Sequence, residues 1–424
     1  MNAQAILVCA FIASAQMTWG VIVPALPVLV EAFGIGAASI GLLIASFAIG
    51  RVLANVPAGL ALRRIPPRPF LQVVSLLLAV VTALTGFLPT EPLLLGARLV
   101  AGVLGGAAVT IGFAVLVAGA PPARRGRTMA TATVVQMSGS AIGALIGGAA
   151  VTAIGVQGAF VVAVVPLLAC LAVDLVRPAR YYWAAFSRAR AATDARGAAA
   201  PDDRVDAATD ARSGEAGEAP VATQAASRFG GSRALVIGLV AVSFATFLAR
   251  FAGEQGLIPV LAYDVGGLTP LGLGVAMSVG TLVSIGALPL VGRLVDRGAR
   301  LSVLIPASLV SAGSLLLFPV LPAPIAFSAV LVAYYVATSV AGVVPNVVTG
   351  ERFSPAAAGA VVGFTRTAGD IGAAVGPLLV FALADQLGAL PAVATIAAVL
   401  LAAVAVLAPT LTRPRASENP APAR

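Results

Sequence analysis

Two pairs of charged residues and two single arginines stand inside long apolar stretches of this chain. Arg250 and Glu254 are four residues apart, as are Arg366 and Asp370, so on a helix each pair shares one face. A carboxylate beside an arginine in a low-dielectric interior can take up and release a proton. The arginine favours the charged acid and removal from water favours the neutral one, so a movement that alternates the two environments drives the proton on and off. A charge at the centre of a membrane helix costs roughly 2.5–3.5 kcal/mol on insertion scales, so such groups face protein or water and mark ion and substrate paths. The competing reading is a silent internal salt bridge that neutralises buried charge. Asp370, nearest the middle of its stretch, is the first candidate proton carrier and Glu254 the second. Arg98, in Leu94–Gly102, is a further candidate functional charge, or else a structural donor to backbone carbonyls. Arg51 is either a functional charge or a side chain that snorkels or binds a helix end.

Composition removes most other chemistry. The 424 residues include 26 basic ones, all arginine, and no histidine. A histidine base, a histidine metal ligand, a Schiff-base lysine and a phosphate-loop lysine are therefore excluded. No metal or organic cofactor is expected, and an enzyme is the remotest reading. Cys9 and Cys170 lie far apart in apolar stretches and form neither a redox pair nor a disulfide framework. The net charge of +9 does not imply nucleic acid, because the arginines form no basic stripe interleaved with aromatics.

The elements that must hold these charges are membrane helices. Hydrophobic residues make up 59% of the chain and charged ones 10%, against roughly 25% charged in soluble domains, and mean hydropathy is +1.02. Runs of about 20 mainly apolar residues cover 4–30, 37–61, 69–89, 92–118, 128–154, 158–176, 234–262, 268–292, 300–318, 324–349, 357–384 and 388–411. That predicts twelve spans. The first run lacks the basic start and cleavage site of a signal peptide and is expected to stay in the mature protein. Glycine and proline inside the runs are tolerated where neighbouring helices pack.

Arginine placement sets the orientation. The odd-to-even connections hold only the acids Glu31, Glu91, Asp264 and Asp385, whereas the opposite side carries Arg63, Arg64, Arg68, Arg124, Arg125, Arg127, Arg293, Arg297, Arg300, Arg352, Arg413 and Arg415. By the positive-inside rule both termini are cytoplasmic. Residues 177–233 have almost no large apolar side chains and read as a disordered cytoplasmic linker. The near-duplicate segments Ala191–Arg196 and Ala207–Arg212 fit slipped duplication in such a linker. The expected organisation is a six-helix bundle over 1–176, the linker 177–233, a second six-helix bundle over 234–411 and a cytoplasmic tail over 412–424.

Two motifs recur across that division. Gly59 to Leu62, Arg63 and Arg64 follow the second span; Gly292, Asp296, Arg297 and Arg300 follow the eighth. Gly139, Gly143, Gly147 and Gly148 fall in the fifth span, and Gly372, Gly376 and Pro377 in the eleventh. The differences 292 − 59 and 376 − 143 both give 233, so one duplication accounts for both pairs. Over about residues 4–411 the chain resembles the major facilitator superfamily. The loop motif is close to that family's signature in its second copy and has Leu62 in place of the acid in its first. The fifth-span glycines resemble its antiporter signature with Ala144 in place of proline, and Arg98 resembles its basic fourth-helix residue.

The resemblance implies an all-α integral membrane fold of twelve transmembrane helices, arranged as two six-helix repeats around a central cavity. It implies that the loop residues form charged latches, weaker in the first copy because of Leu62. It also implies that the glycines serve a rocking interface, and that Gln16, Trp19, Tyr334 and Tyr335 are candidates for cavity lining. The function expected is proton-coupled efflux of a drug-like compound or metabolite by alternating access, powered by the proton gradient. The partners would be a small molecule, protons and lipid, and the protein would be a monomer in a bacterial inner membrane. Two alternatives stay open: proton-linked uptake of an organic anion, drawn by the excess of arginines, and a membrane scaffold or sensor that does not transport.

Overall fold

The computed structural model describes residues 3–32, 34, 38–62, 64–120, 125–176, 233–353 and 355–412. Arg63, nearly all of the expected linker and the expected tail beyond residue 412 lie outside the described residues. Where described, the chain is helical, because a backbone group with no water beside it must find its partner within its own segment. The first four helices are α1 (Ala3–Ala32), α2 (Ala38–Ala61), α3 (Pro67–Thr85) and α4 (Glu91–Gly119). A continuous run Arg125–Val176 follows, broken at Gly155 with φ 76° and ψ 179°. That dihedral pair suits glycine alone, and it divides the run into α5 (125–154) and α6 (156–176).

The second group comprises α7 (Arg233–Asp264), α8 (Pro270–Asp296), α9 (Arg300–Leu317), α10 (Pro324–Arg352), α11 (Pro355–Leu387) and α12 (Ala389–Leu411). Prolines in the first turns of α3, α4, α8 and α10 sit where their missing N–H costs nothing. At the start of α8 the Thr269 hydroxyl also accepts from the Gly272 N–H at 3.1 Å. Helix α7 departs from α geometry over Ala249–Leu257, which winds as a π-helix.

Close backbone approaches at glycines order the bundle. In the first half, α1 meets α5: a methyl on Gly139 would strike the Ala13 carbonyl oxygen at 2.5 Å, and one on Gly143 the Met17 carbonyl oxygen at 2.7 Å. Helix α2 meets α4 at Gly50 and Gly102. The second half repeats this, with α7 against α11 at Gly372 and Gly376, and α8 against α10 at Gly280. Between halves the most extensive contacts are α5 with α8 and α2 with α11, which are equivalent under the repeat, and α1 and α2 also touch α7.

The close backbone approaches and hydrogen bonds that join the halves lie toward the odd-to-even connections. Gly148 abuts the backbone of Pro270, and Gly274 abuts Ala144. A methyl on Gly41 would lie 2.9 Å from the Pro377 carbonyl oxygen. The Tyr263 hydroxyl donates to the Pro24 carbonyl at 2.6 Å, and the Ser278 hydroxyl to the Ala141 carbonyl at 2.7 Å. Toward the arginine-rich connections, Thr133, Leu288, Asn346 and Val347 line open space instead. Among the described residues the halves are therefore shut together on one side and open on the other.

Candidate functional site

A cavity of about 460 Å³ lies inside the second half and faces α5 of the first. Its wall combines Met137, Ser140 and Ala144 of α5 with Arg250, Glu254 and Gln255 of α7. Thr133 of α5, Thr246 of α7, Thr281 of α8, Ser308 and Ser311 of α9, and Tyr334, Tyr335, Thr338, Ser339 and Asn346 of α10 complete its polar lining. Its two charged wall residues are Arg250 and Glu254, and both come from the π-helical stretch of α7. A π turn closes from residue i to i+5, so it takes one residue more than an α turn, and such turns occur frequently at functional sites. The two residues stand in the same cavity wall, on a widened turn. Tyr335 is a side-chain hydrogen-bond partner of Glu254, and Arg250 stands in the same electrostatic field.

A second charged group joins the halves. Arg51, half-buried on α2, lies within electrostatic reach of Arg366 and Asp370 on α11 and of Arg250 on α7. Its guanidinium sits 5.8 Å from the centre of the Phe251 ring. Asp370 is half-buried and Arg366 is exposed, one turn nearer the open side. The two pairs that sequence spacing singled out therefore belong to one neighbourhood, which Arg51 links. Nothing in the spacing identified Arg51 as the link, because its partners are more than 190 residues away.

Arg98 is 1% exposed and is held differently. Its guanidinium carbon lies 4.7 Å from the Trp19 ring centre and 4.8 Å from that of Phe47, and those rings stack at 4.2 Å. Its Nε and one terminal nitrogen have no hydrogen-bond partner among the described residues. Aromatic faces are what stabilise this buried cation, by about 2 kcal/mol where water is excluded. Trp19 is thus packed against Arg98, and neither it nor half-buried Gln16 belongs to the cavity wall among the described residues. Tyr334 and Tyr335 do line it.

The glycines divide into two sets. Gly139, Gly143 and Gly147 face α1 of their own half, and Gly372 and Gly376 face α7 of theirs; Gly148 faces the other half at Pro270. Pro377 is buried at the contact with α2. In the loops, Gly59, Arg64, Asp296 and Arg297 are exposed and Gly292 is partly so. Arg300 forms an ion pair with Glu351 at the end of α10. Sequence reading missed Asp174, which is buried and accepts from Arg68 Nε at 3.0 Å and from Gln72 Nε2 at 2.5 Å. This α3–α6 clasp lies on the open side. Its sequence signal was an acid inside an apolar run, with Arg68 and Gln72 spaced one helical turn apart.

A family profile described as Major Facilitator Superfamily matches residues 7–377, and again residues 243–424. No curated protein matches the chain. The nucleoside transporter NupG superposes with a TM-score of 0.70 at 11% identity, covering 96% of this chain and 100% of the other. A bacterial homologue of the human lysosomal transporter Spinster, in an inward-facing and unoccupied conformation, superposes with a TM-score of 0.64 at 14% identity, covering 96% and 94%. At those identities the likeness is one of fold.

Proposed function

The chain belongs to the major facilitator superfamily of membrane transporters, and we propose that it exports a small molecule in exchange for protons by alternating access. The observation that carries this reading is the placement of Glu254 and Arg250 in the wall of a cavity open on the arginine-rich side. By the positive-inside rule that side is cytoplasmic. In this reading the protein sits in a bacterial inner membrane with both termini and the 177–233 linker inside, works as a monomer, and is seen ready to load cargo from the cytoplasm. Glu254 and Asp370 carry the protons, each four residues from an arginine on its own helix, and rocking changes the surroundings of both pairs. The exposed loop residues Asp296 and Arg297, with Arg63 and Arg64, then serve as the latch of the opposite state. Gly148 and Pro377 let the halves meet and part.

The test is proton movement reported by fluorescence in everted vesicles holding a pH gradient, challenged with cationic, neutral and anionic compounds. A compound should collapse the gradient in the parent protein, and the effect should disappear in Asp370→Asn and Glu254→Gln. Compound movement without proton movement in well-folded protein rejects antiport. A second reading, proton-linked uptake of an organic anion, draws on the neighbourhood of Arg51, where Arg250, Arg366 and Asp370 come within electrostatic reach.

A further inference from the structure

The cavity's hydrogen-bonding polarity points to a class of cargo. Its wall is rich in hydroxyl and amide side chains, and most of the hydroxyls on α8, α9 and α10 have already given away their hydrogens. Ser308 donates to the Leu304 carbonyl at 2.7 Å and Ser311 to that of Ala307 at 2.9 Å. Thr281 donates to Met277 at 2.9 Å and Thr338 to Tyr334 at 2.9 Å. The Asn346 amide spends one of its two N–H groups on the Gly342 carbonyl at 2.9 Å, leaving the other and its oxygen. Tyr335 is committed to Glu254. A hydroxyl bonded back onto its own helix keeps two lone pairs and no free donor. Across α8, α9 and α10 the wall therefore presents mainly acceptors, and its charged donor is Arg250.

Two cargo classes fit poorly. A molecule with several carboxylates needs many donors, and each hydrogen would have to be won from a helix carbonyl. A cation meets acceptors but stands beside Arg250, with Arg51 and Arg366 in the same neighbourhood. We propose that the cavity binds an uncharged molecule rich in hydroxyl or N–H donors, with an acceptor group set against Arg250. A cavity of about 460 Å³ is within the usual range for small ligands, roughly 300–1,000 Å³. This assignment rests on the cavity being the cargo site of the transport reading above, but it does not depend on the direction of transport or on protons.

The experiment is equilibrium binding to the full-length protein in detergent, without any gradient, read as a shift of the thermal unfolding midpoint with ligand concentration. The probes are sorbitol, glucose and uridine as neutral donors, succinate and citrate as anions, and tetraphenylphosphonium as a cation. At least one neutral probe should bind more tightly than every charged one. Its affinity should fall about five-fold in Thr338→Val and in Ser308→Ala, as expected for loss of one hydrogen bond. Thr338→Val keeps the side chain's shape, so it separates lost acceptors from lost packing. Tighter binding of an anion or the cation overturns the assignment, as does the absence of neutral binding at millimolar concentration. So does a neutral affinity unchanged in both variants. Because no proton gradient enters, failure of antiport in vesicles and failure here are separate results.

Discussion

Gly148→Ala and Gly143→Ala add the same methyl to the same helix, five residues apart, and should do different things. At Gly148 the new Cβ would collide with the Pro270 carbonyl, 2.9 Å from its carbon and 3.1 Å from the Leu271 Cα. These are backbone atoms of the other half, so no side-chain rotation relieves them. Overpacking of this kind costs about 1–3 kcal/mol, and here the cost falls on one conformation, the one in which α5 and α8 touch. The equilibrium between open-side states should shift about 5- to 150-fold toward the opposite one. At Gly143 the methyl meets the Met17 carbonyl oxygen at 2.7 Å and the Gly20 Cα at 3.1 Å, both on α1 of the same half. That contact persists however the halves rock, so the cost falls on folding.

The assay is alkylation of an Asn346→Cys reporter, exposed on the cavity wall, by a membrane-impermeant maleimide in everted vesicles. The background carries Cys9→Ala and Cys170→Ala. Gly148→Ala should slow labelling, whereas Gly143→Ala should lower the melting midpoint and leave the labelling rate of the folded protein unchanged. Equal labelling in Gly148→Ala and its parent, with equal melting midpoints, would refute the assignment of this contact to a single state.

Tyr263→Phe removes the hydroxyl that donates to Pro24 across the halves; it should cost the shut side about 1 kcal/mol and slow labelling of the same reporter without a large loss of stability. Asp174→Asn should lower stability by about 2–3 kcal/mol, read as a fall in melting midpoint, because Asp174 is buried while its partner Arg68 is 28% exposed and can still reach water. Trp19→Leu and Phe47→Leu each take one aromatic face from Arg98 and should cost about 1–2 kcal/mol; the double variant should cost less than the sum, as measured in a thermal double-mutant cycle.

The twelve spans were legible because apolar runs of bilayer length are a strong signal, and the constant offset of 233 residues exposed the repeat. The sixth span illustrates the limit. Apolar sequence continues through Ile154 to Val156, and a single glycine at φ 76° ends one helix and begins the next without a loop. Helical spacing found the pairs Arg250 with Glu254 and Arg366 with Asp370, because residues four apart meet locally. It could not find Arg51 beside Asp370, since that neighbourhood is made only when α2 and α11 pack. Nor could it separate Gly143 from Gly148. Both read as small residues on one helix, and which half each faces is a property of the assembled bundle. The π-helical winding of Ala249–Leu257 left no pattern in the residue types.

That winding has a consequence in genetic terms. Because a π turn holds one residue more than an α turn, losing a single codon between residues 249 and 257 leaves a chain that can still wind as an unbroken helix across the bilayer. The residues on either side keep nearly the same facing, because the π turn and the α turn that replaces it each close one revolution, so Tyr263 can keep its grip on Pro24. What is lost is the widened turn itself, and with it the placement of Arg250 and Glu254 in the cavity wall. A deletion that the reading frame, the membrane and the rest of the fold would all accept is one the transporter's cycle would not.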